Sequence, residues 1–472
     1  MGLSRRKFMK MLGLAGAAMP LAGSGRVFGD DQKKRPNFIF VVTDDQGWGD
    51  IGYNTDTSLK TPHLDAMARE GIRMDRFYAA APVCSPTRAS CLTGRAPART
   101  GVPDHTMELR LEERTIAEVL KEQSYATGHF GKWHLGGIPK EAEKYARVNP
   151  NEPHPGNQGF DYWFSHRNYF DLNPDSLYLN GEAVGDLKGE PCGLTMDRAL
   201  PWMEECSQEG RPFMACIWFP HPHRPHRPLD ESIPEGPEDI KHRRLMGEVV
   251  EVDNQVGRLR QWLRDKGIAE NTMLWFHSDN GVLPEGNSDG DPFQGYKSDL
   301  WEGGIRVPGM VEWPGRLAAR RIENFPVCTT DIFPTILDVL GLRPDGLVRP
   351  IDGQSVWKLI RDGEMEARDP IGFWITGRNA EVREESLGYH AALIDGNLKL
   401  HRNPFKPGMG QVRTKKRMEG VEWLLFDIEK DPGETLDVKD AHPGKFEEMK
   451  KHLLDWQQSV LKSAHGADYP EK

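Results

Sequence analysis

The chain has 472 residues, 38% of them hydrophobic, and its 71 acidic residues outnumber its 61 Lys and Arg residues to give a net charge of −10. This composition is typical of a globular protein with ample length for a large core, and it excludes a disordered chain and a multi-span membrane protein. The acidic balance argues against a nucleic-acid partner, because such binding depends on neutralising phosphates.

Residues 1–29 have the layout of an export signal. Basic residues around Arg5 and Arg6 precede an apolar stretch at 11–22, and small residues follow. The arginine pair resembles a bacterial twin-arginine signal, which predicts export by the Tat machinery from a bacterial cytoplasm to the periplasm. A membrane anchor is the alternative, but the apolar stretch is shorter than the ~20 residues that a span needs, so no stable span is expected in the mature protein.

Strand and helix patterns alternate over the next three hundred residues. They predict, in chain order, a strand at 38–42, a helix at 62–71, a strand at 213–219, a helix with an apolar stripe over 245–263 and a strand at 273–276. The strands are continuous apolar runs, as in strands buried on both faces. Alternation of this kind predicts an α/β fold with a mostly parallel central sheet covered on both sides.

The pattern changes after about residue 370. A hairpin is predicted with strands at 391–394 and 398–400 and a two-residue turn at Asp395 and Gly396, followed by a strand at 423–428 and a final amphipathic helix. This predicts a small antiparallel α+β subdomain. The expected organisation is therefore a signal at 1–29, a main domain at 36–365, and a C-terminal subdomain at 366–472 packed on it.

Four oxygen-bearing side chains follow two of the predicted strands. Asp44 and Asp45 come directly after the first strand, and Asp279 and Asn280 come after the strand at 273–276. Ligands bind at the carboxyl ends of strands in open parallel sheets, so these side chains, here called the oxygen cage, are candidates for a Ca²⁺ or Mg²⁺ site. The alternative is that both pairs only form turns and helix caps.

One of the six cysteines stands in an unusual context. Cys84 precedes Ser85 and Pro86, which are expected to cap and begin a helix, and Arg88 comes about one turn later. A cysteine at a helix N-terminus beside an arginine can be reactive. The alternative is a buried small residue with a surface arginine. The remaining cysteines form no CxxC pair and are too scattered for a disulfide scaffold.

Basic residues and histidines are expected near the same strand ends. Lys132 and His134 follow a glycine-rich segment, the segment 221–228 carries three histidines, and Lys297 lies downstream. Zinc is disfavoured at 221–228, because the prolines forbid a helix and no Cys or Glu there completes a ligand set. Together these residues predict a cationic pocket that suits a compact anion such as sulfate or phosphate.

The segment Cys84-Ser-Pro-Thr-Arg88 followed by Leu-Thr-Gly-Arg95 resembles the signature of the type I, formylglycine-dependent sulfatase family. Further similarity at 37–49, 128–136, 212–225, 278–281, 297–308 and 425–434 extends over nearly the whole mature chain. The resemblance implies an alkaline-phosphatase-like α/β/α sandwich with a small C-terminal antiparallel sheet, and it makes residues 36–365 the catalytic domain.

The resemblance also implies the chemistry. Cys84 would be oxidised to formylglycine by a formylglycine-generating or anaerobic sulfatase-maturating enzyme, and the hydrated aldehyde would attack the sulfur of a sulfate ester. The second hydroxyl of the hydrate would then allow sulfate to be expelled. The loops at 151–193 and 281–295 are rich in His, Asn, Asp and aromatic residues, so a sulfated carbohydrate is the expected substrate.

Residue roles follow from the resemblance position by position. The oxygen cage and the modified Cys84 would hold Ca²⁺, Arg88 and Lys132 would stabilise the formylglycine, and His134 would take the proton that drives elimination. His223 and Lys297 would bind sulfate and assist the leaving alcohol. His226 nearly repeats the motif around His223 and is the alternative to it. Further candidates for substrate contacts are His221, Arg224, His226 and Arg227.

Two other functions remain open at this point. A phosphonate monoester or phosphodiester hydrolase would use the same nucleophile and fold. A non-catalytic binder of sulfated glycans would keep Cys84 as a thiol.

Overall fold

A computed structural model describes residues 35–55, 59–140, 146–229, 240–283, 292–377, 381–404 and 420–469. The predicted signal at 1–29 lies outside these residues. From Arg35 onward the chain forms one compact unit. None of the helices in the described ranges has the length and apolar character needed to cross a bilayer.

The strands and helices alternate along most of the chain. The strands are β1 (Asn37–Thr43), β2 (Ile72–Met74), β3 (Phe77–Tyr78), β4 (Ala126–Lys132), β5 (Tyr162–His166), β6 (Tyr178–Leu179), β7 (Glu182–Ala183), β8 (Phe213–Trp218), β9 (Thr272–Ser278), β10 (Arg306–Val307), β11 (Gly309–Glu312), β12 (Arg320–Ile322), β13 (Val327–Cys328), β14 (Ile371–Trp374), β15 (Ala391–Asp395), β16 (Leu398–Arg402) and β17 (Trp423–Asp427). The α-helices are α1 (Pro62–Glu70), α2 (Cys84–Thr93), α3 (Ile116–Glu122), α4 (Pro191–Gln208), α5 (Ile240–Asp265), α6 (Glu302–Ile305), α7 (Ile332–Leu340), α8 (Trp357–Asp362) and α9 (Pro443–Ala464).

A ten-stranded sheet in the described part of the chain has the order β12-β2-β11-β9-β1-β8-β4-β5-β6-β7. Its centre, β9-β1-β8-β4-β5, is parallel, whereas β11, β6 and β7 pair antiparallel towards the edges. Every residue of β1 is buried, as expected for a central strand with both faces covered. The predicted α/β fold with a mostly parallel sheet is therefore confirmed.

The two faces of the sheet carry separate hydrophobic cores. Along β1, Phe38, Phe40 and Val42 join one core, which includes residues of α2, α3, α7 and α8. Ile39 and Val41 join the other core, which includes residues of α1, α4 and α5. Alternate side chains of a strand point to opposite faces, so this division follows from the strand geometry. The arrangement is an α/β/α sandwich.

The C-terminal part forms the predicted small antiparallel sheet, in the order β14-β15-β16-β17. One core joins this sheet to α9, and another joins it to the small sheet of β10, β3 and β13. Asp395 pairs with Leu398, so the hairpin turn consists of Gly396 and Asn397, one residue later than predicted. Gly396 has φ 58°, a left-handed conformation that glycine adopts readily at the first turn position.

Candidate active site

The oxygen cage assembles where two neighbouring strands end. β1 and β9 are parallel partners, and their last residues, Thr43 and Ser278, pair with each other. Both Asp-containing pairs therefore leave the sheet at the same edge, and all four side chains are buried. The Asp45 backbone N–H donates to Asp279 Oδ1 at 3.2 Å, and Asn280 Nδ2 donates to Asp45 Oδ1 at 2.8 Å. The structure thus brings together the four residues that the sequence singled out.

Two oxygens of the cage are suited to binding a cation. Among the described residues, Asp44 Oδ1 and Asn280 Oδ1 are buried and have no hydrogen-bond partner. An unpaired buried acceptor is costly, and a bound cation would satisfy both atoms. Carboxylate and amide oxygens are the donors that hard divalent ions prefer. The residues present therefore fit Ca²⁺ or Mg²⁺.

Cys84 is the first residue of α2, with Val83 as the N-cap, so the helix begins earlier than predicted. Its Sγ lies 3.3 Å from His134 Nδ1. Ligand atoms of Asp44, Cys84 and Asp279 all lie within 4.8 Å of one another. Burial raises the pKa of the Cys84 thiol, against the opposing charges of Lys132 and Lys297. The unmodified side chain is therefore a protonated thiol and a weak nucleophile.

Three cations each pair with one carboxylate of the cage. The Arg88 guanidinium donates to Asp279 Oδ2 at 2.9 and 2.6 Å, and Lys132 Nζ donates to Asp44 Oδ2 at 2.6 Å. Lys297 Nζ lies 2.6 and 2.7 Å from the two carboxylate oxygens of Asp45. Arg88 is buried, which rules out the surface-charge alternative. The site therefore holds concentrated positive charge beside its carboxylates.

The charge balance is visible in the pKa of Asp45. Burial alone would raise this pKa, but Lys297, followed by His223 and Lys132, lowers it well below its usual value. For Lys297 the converse holds: burial would lower its pKa, and Asp45 more than offsets this and raises it. Asp45 is thus an anion and Lys297 a cation at neutral pH.

Two histidines face this group. His134, whose backbone has a φ of 54°, has its pKa lowered by burial and by Lys132. His223 places Nε2 3.6 Å from Asp45 Oδ2, while its Nδ1 lies 2.6 Å from the carbonyl oxygen of Arg224. Burial, with Lys297 and Lys132, lowers the pKa of His223 to about 3 despite the opposing effect of Asp45. Both imidazoles are therefore neutral and able to accept a proton.

The side chains of segment 221–228 lie in different environments. His226 Nδ1 contacts Glu248 Oε2 at 2.9 Å on α5, so this side chain is engaged away from the position that His223 occupies. Arg227 is exposed, and its Nε lies 3.3 Å from Asp171 Oδ2. His221 is buried among glutamates. Of the two alternatives left by the sequence, His223 is the histidine that contacts the oxygen cage.

Tyr169 is a site residue that sequence reasoning missed. Its ring stacks on that of His223, with centroids 4.5 Å apart and an interplanar angle of 21°. The only sequence signal was its position in the aromatic-rich stretch 151–193. Spacing could not show the contact, because the two residues come from different loops.

A cluster of neutral histidines and paired cations, next to an oxygen-ligand cation site at the carboxyl end of a parallel sheet, is suited to cleaving a charged ester. Comparison with known proteins identifies this ester as a sulfate ester. The sulfatase family profile matches residues 36–342. The chain therefore belongs to the sulfatase family, and it is a sulfuric ester hydrolase.

Individual relatives agree with this assignment. The chain is 32% identical to N-acetylgalactosamine-6-sulfatase of Canis lupus familiaris, over 91% of this chain and 84% of that protein. It is 32% identical to an ulvan-active sulfatase of Formosa agariphila, over 71% of this chain and 67% of that protein. Among solved structures, Ps i-CgsB is similar with a TM-score of 0.76 and 25% identity, over 90% of this chain and 93% of that chain.

Proposed function

We propose that the protein hydrolyses sulfate esters of a sulfated carbohydrate, using a formylglycine made from Cys84 and a Ca²⁺ ion in the oxygen cage, and releases inorganic sulfate. The observation that carries this proposal is the position of Cys84. Its sulfur is grouped with Asp44 and Asp279, two cage carboxylates, and lies 3.3 Å from His134 Nδ1. A nucleophile formed at this position would have a cation site on one side and a proton acceptor on the other.

The oxygen cage and modified residue 84 would hold the ion. When bound, Ca²⁺ supplies Lewis-acid polarisation of the sulfate group. Arg88 and Lys132 hold Asp279 and Asp44 in place and add positive charge next to residue 84. This arrangement stabilises negative charge that develops on the sulfate, because the donors are fixed before the reaction begins.

Proton movement is assigned to the two histidines and Lys297. His134 Nδ1 is within reach of residue 84 and is neutral, so it can accept the proton that residue 84 loses when sulfate is released. Lys297 is positively charged and lies beside His223 around Asp45, where it can donate to sulfate oxygens and to the leaving alcohol, and His223 can do the same once its Nε2 has taken up a proton. The Arg224 carbonyl holds the Nδ1 proton of His223, which leaves Nε2 for the substrate.

The substrate proposal rests on the relatives and on the residues exposed around His223. The names of two relatives specify an amino-sugar sulfate and ulvan. Arg224 and Arg227 are exposed beside His223, and the aromatic ring of Tyr169 stacks on it. Exposed arginines and an aromatic face suit an anionic sugar chain. Screening defined sulfated mono- and oligosaccharides would identify the sugar and the sulfate position.

Maturation and export belong to the same proposal. A formylglycine-generating or anaerobic sulfatase-maturating enzyme would convert Cys84, and the Tat machinery would carry the folded protein to the periplasm. The Tat system exports proteins that are already folded, which fits a protein whose Cys84 is deeply buried after folding.

The decisive experiment compares matched sulfate and phosphate esters on protein expressed with a maturation enzyme, with the mass of the Cys84 peptide measured to quantify conversion. We expect sulfate turnover that requires Ca²⁺ and is lost in Cys84→Ala. Cys91→Ala is the matched control, because Cys91 is a buried thiol on the same helix whose sulfur contacts His277.

Each other outcome selects a different function. Faster turnover of phosphate or phosphonate esters would replace this proposal with the phosphonate monoester or phosphodiester hydrolase. Glycan binding without turnover, with Cys84 left as a thiol and affinity unchanged in Cys84→Ala, would indicate the non-catalytic binder.

A further inference from the structure

A second group of metal-type ligands lies where the end of β8 meets α4 and α5. Glu190 is the N-cap of α4 and Cys192 is the second residue of that helix, His221 follows β8, and Glu251 lies on α5. We call these four side chains the α4–α5 cluster. His221 Nδ1 is 3.1 Å from Glu251 Oε2 and 3.8 Å from Glu190 Oε1. The ligand atoms of Glu190, Cys192 and His221 all lie within 4.8 Å of one another.

His221 is buried against carboxylates, which raise its pKa to about 9 although burial opposes this. Its side chain is 2% exposed, and among the described residues neither ring nitrogen makes a hydrogen bond. Glu251 Oε2 is also buried without a hydrogen bond, although it lies close to His221 Nδ1. The contact is therefore an ion pair whose geometry leaves these buried atoms available to a shared cation.

The charges of the cluster favour a cation. A third glutamate, Glu248, lies 4.0 Å from His221 Nε2, so three carboxylates surround one imidazole. One imidazole can carry at most one positive charge, which is too little to balance three carboxylates, and a divalent ion would supply the rest.

We propose that the α4–α5 cluster binds one Zn²⁺ ion at a structural site distinct from the oxygen cage. One imidazole nitrogen, one thiolate sulfur and one carboxylate oxygen lie within reach of a single ion, and Glu251, 3.1 Å from His221 Nδ1, is the nearest further oxygen donor. Nitrogen and sulfur donors are typical of zinc and unlike the all-oxygen sets of Ca²⁺. Zinc bonds of about 2.0–2.3 Å separate tetrahedral ligand atoms by roughly 3.3–3.8 Å, close to the spacing of the His221 contacts. Binding releases the Cys192 thiol proton and any imidazolium proton, with no change in oxidation state.

The sequence argued against zinc at 221–228 because no Cys or Glu stood nearby. The structure supplies both from α4 and α5, which fold against the end of β8. The site would also have a clear structural effect. The carbonyl oxygen of His221 accepts the backbone N–H of Asp44 at 3.0 Å, so zinc at His221 would fix the chain segment that positions both Asp44 and His223.

The test measures metal on the full-length mature protein. We expect dialysis against Zn²⁺ in the presence of Ca²⁺ to leave one bound zinc per chain by plasma mass spectrometry. Cys192→Ser should weaken zinc binding at least about 100-fold, since even outer partners of metal sites contribute 10- to 100-fold. Cys206→Ser is the matched control: Cys206 is buried on the same helix and should leave zinc binding unchanged. Asp279→Asn should also leave it unchanged, which separates this site from the cage.

A second measurement needs no variant. Co²⁺ bound to wild-type protein should show a thiolate-to-metal charge-transfer band in the near ultraviolet. Absence of tight zinc, absence of that band, or equal zinc binding by Cys192→Ser and wild type would overturn the proposal. None of these results depends on turnover, so failure of the sulfatase mechanism would be seen separately.

Discussion

Arg88 is the residue whose removal should reveal how the protein balances the charge of its cation site. Its side chain is fully buried, and two of its nitrogens lie 2.9 and 2.6 Å from Asp279 Oδ2. Arg88→Met would leave Asp279 buried beside Asp44 with its main counter-charge gone. Breaking a buried ion pair in this way costs about 3–5 kcal/mol of unfolding free energy.

Calcium should recover part of that loss. In the variant without Ca²⁺ the Asp279 carboxylate is uncompensated, whereas a bound ion neutralises it. We therefore expect Ca²⁺ to stabilise Arg88→Met more than wild type, by roughly half of the loss or about 2 kcal/mol, because Asp279 is one of several cage ligands. Turnover of an aryl sulfate should fall about 10²- to 10³-fold, since fixed positive charge next to residue 84 is removed.

The assay is denaturant unfolding with and without Ca²⁺, paired with kinetics. Arg260→Met is the matched control, because Arg260 makes a similar buried pair, 2.7 and 3.0 Å from Glu312, on the other face of the sheet. It should lose less stability, because Arg264 remains 3.1 Å from Glu312, and it should keep the wild-type calcium response and turnover. If Ca²⁺ stabilises both variants equally, Arg88 does not neutralise the cage and the reasoning is refuted.

Three further predictions concern other parts of the molecule. Tyr169→Ala should lower kcat/KM by roughly 2- to 10-fold, the value of about 0.5–1.5 kcal/mol for ring stacking on His223, while Tyr169→Phe should keep the activity; equal losses would exclude a stacking role. Burial raises the pKa of Asp253 to about 6, so the folded protein binds the Asp253 proton more tightly than the unfolded chain does. This proton stabilises the folded state fully below about pH 4, and the stabilisation is lost as the pH rises through 6. The unfolding free energy of Asp253→Asn should therefore exceed that of wild type by at most about 3 kcal/mol at pH 7 and match it near pH 4. A difference in unfolding free energy that becomes smaller as the pH rises would contradict this. Gly281→Ala should unfold the edge of the oxygen cage and abolish calcium binding, because a Cβ there would lie 1.9 Å from a backbone carbonyl oxygen; Gly388→Ala, in open space, is the control, and calcium titration compares them.

Most of the fold could be read from the sequence because the signals are local. Continuous apolar runs identify buried strands, and stripes spaced by three and four residues identify helices, whatever the rest of the chain does. The hairpin turn was misplaced by one residue because Asp395 and Gly396 both favour turns, and the pairing of Asp395 with Leu398 depends on the register of the whole hairpin. Register is set by packing on both faces of the sheet.

The oxygen cage was accessible to sequence reasoning for a similar reason. Parallel neighbours end at one edge, so residues that follow β1 and β9 must meet once those strands pair. The sequence could not decide between His223 and His226, which stand in nearly identical motifs. Their environments differ because His226 contacts Glu248 on α5, whereas His223 stacks against Tyr169.

The sequence by itself determined the class of fold, the residues at the strand ends and the presence of Cys84 near the start of a helix, because each depends on neighbours along the chain. Only the tertiary structure decided which carboxylate each cation pairs with, which histidine reaches Asp45, and that Glu190, Cys192 and His221 lie together. These are contacts between segments far apart in the chain, and their geometry is fixed by the packing of helices on the sheet rather than by any spacing of residues.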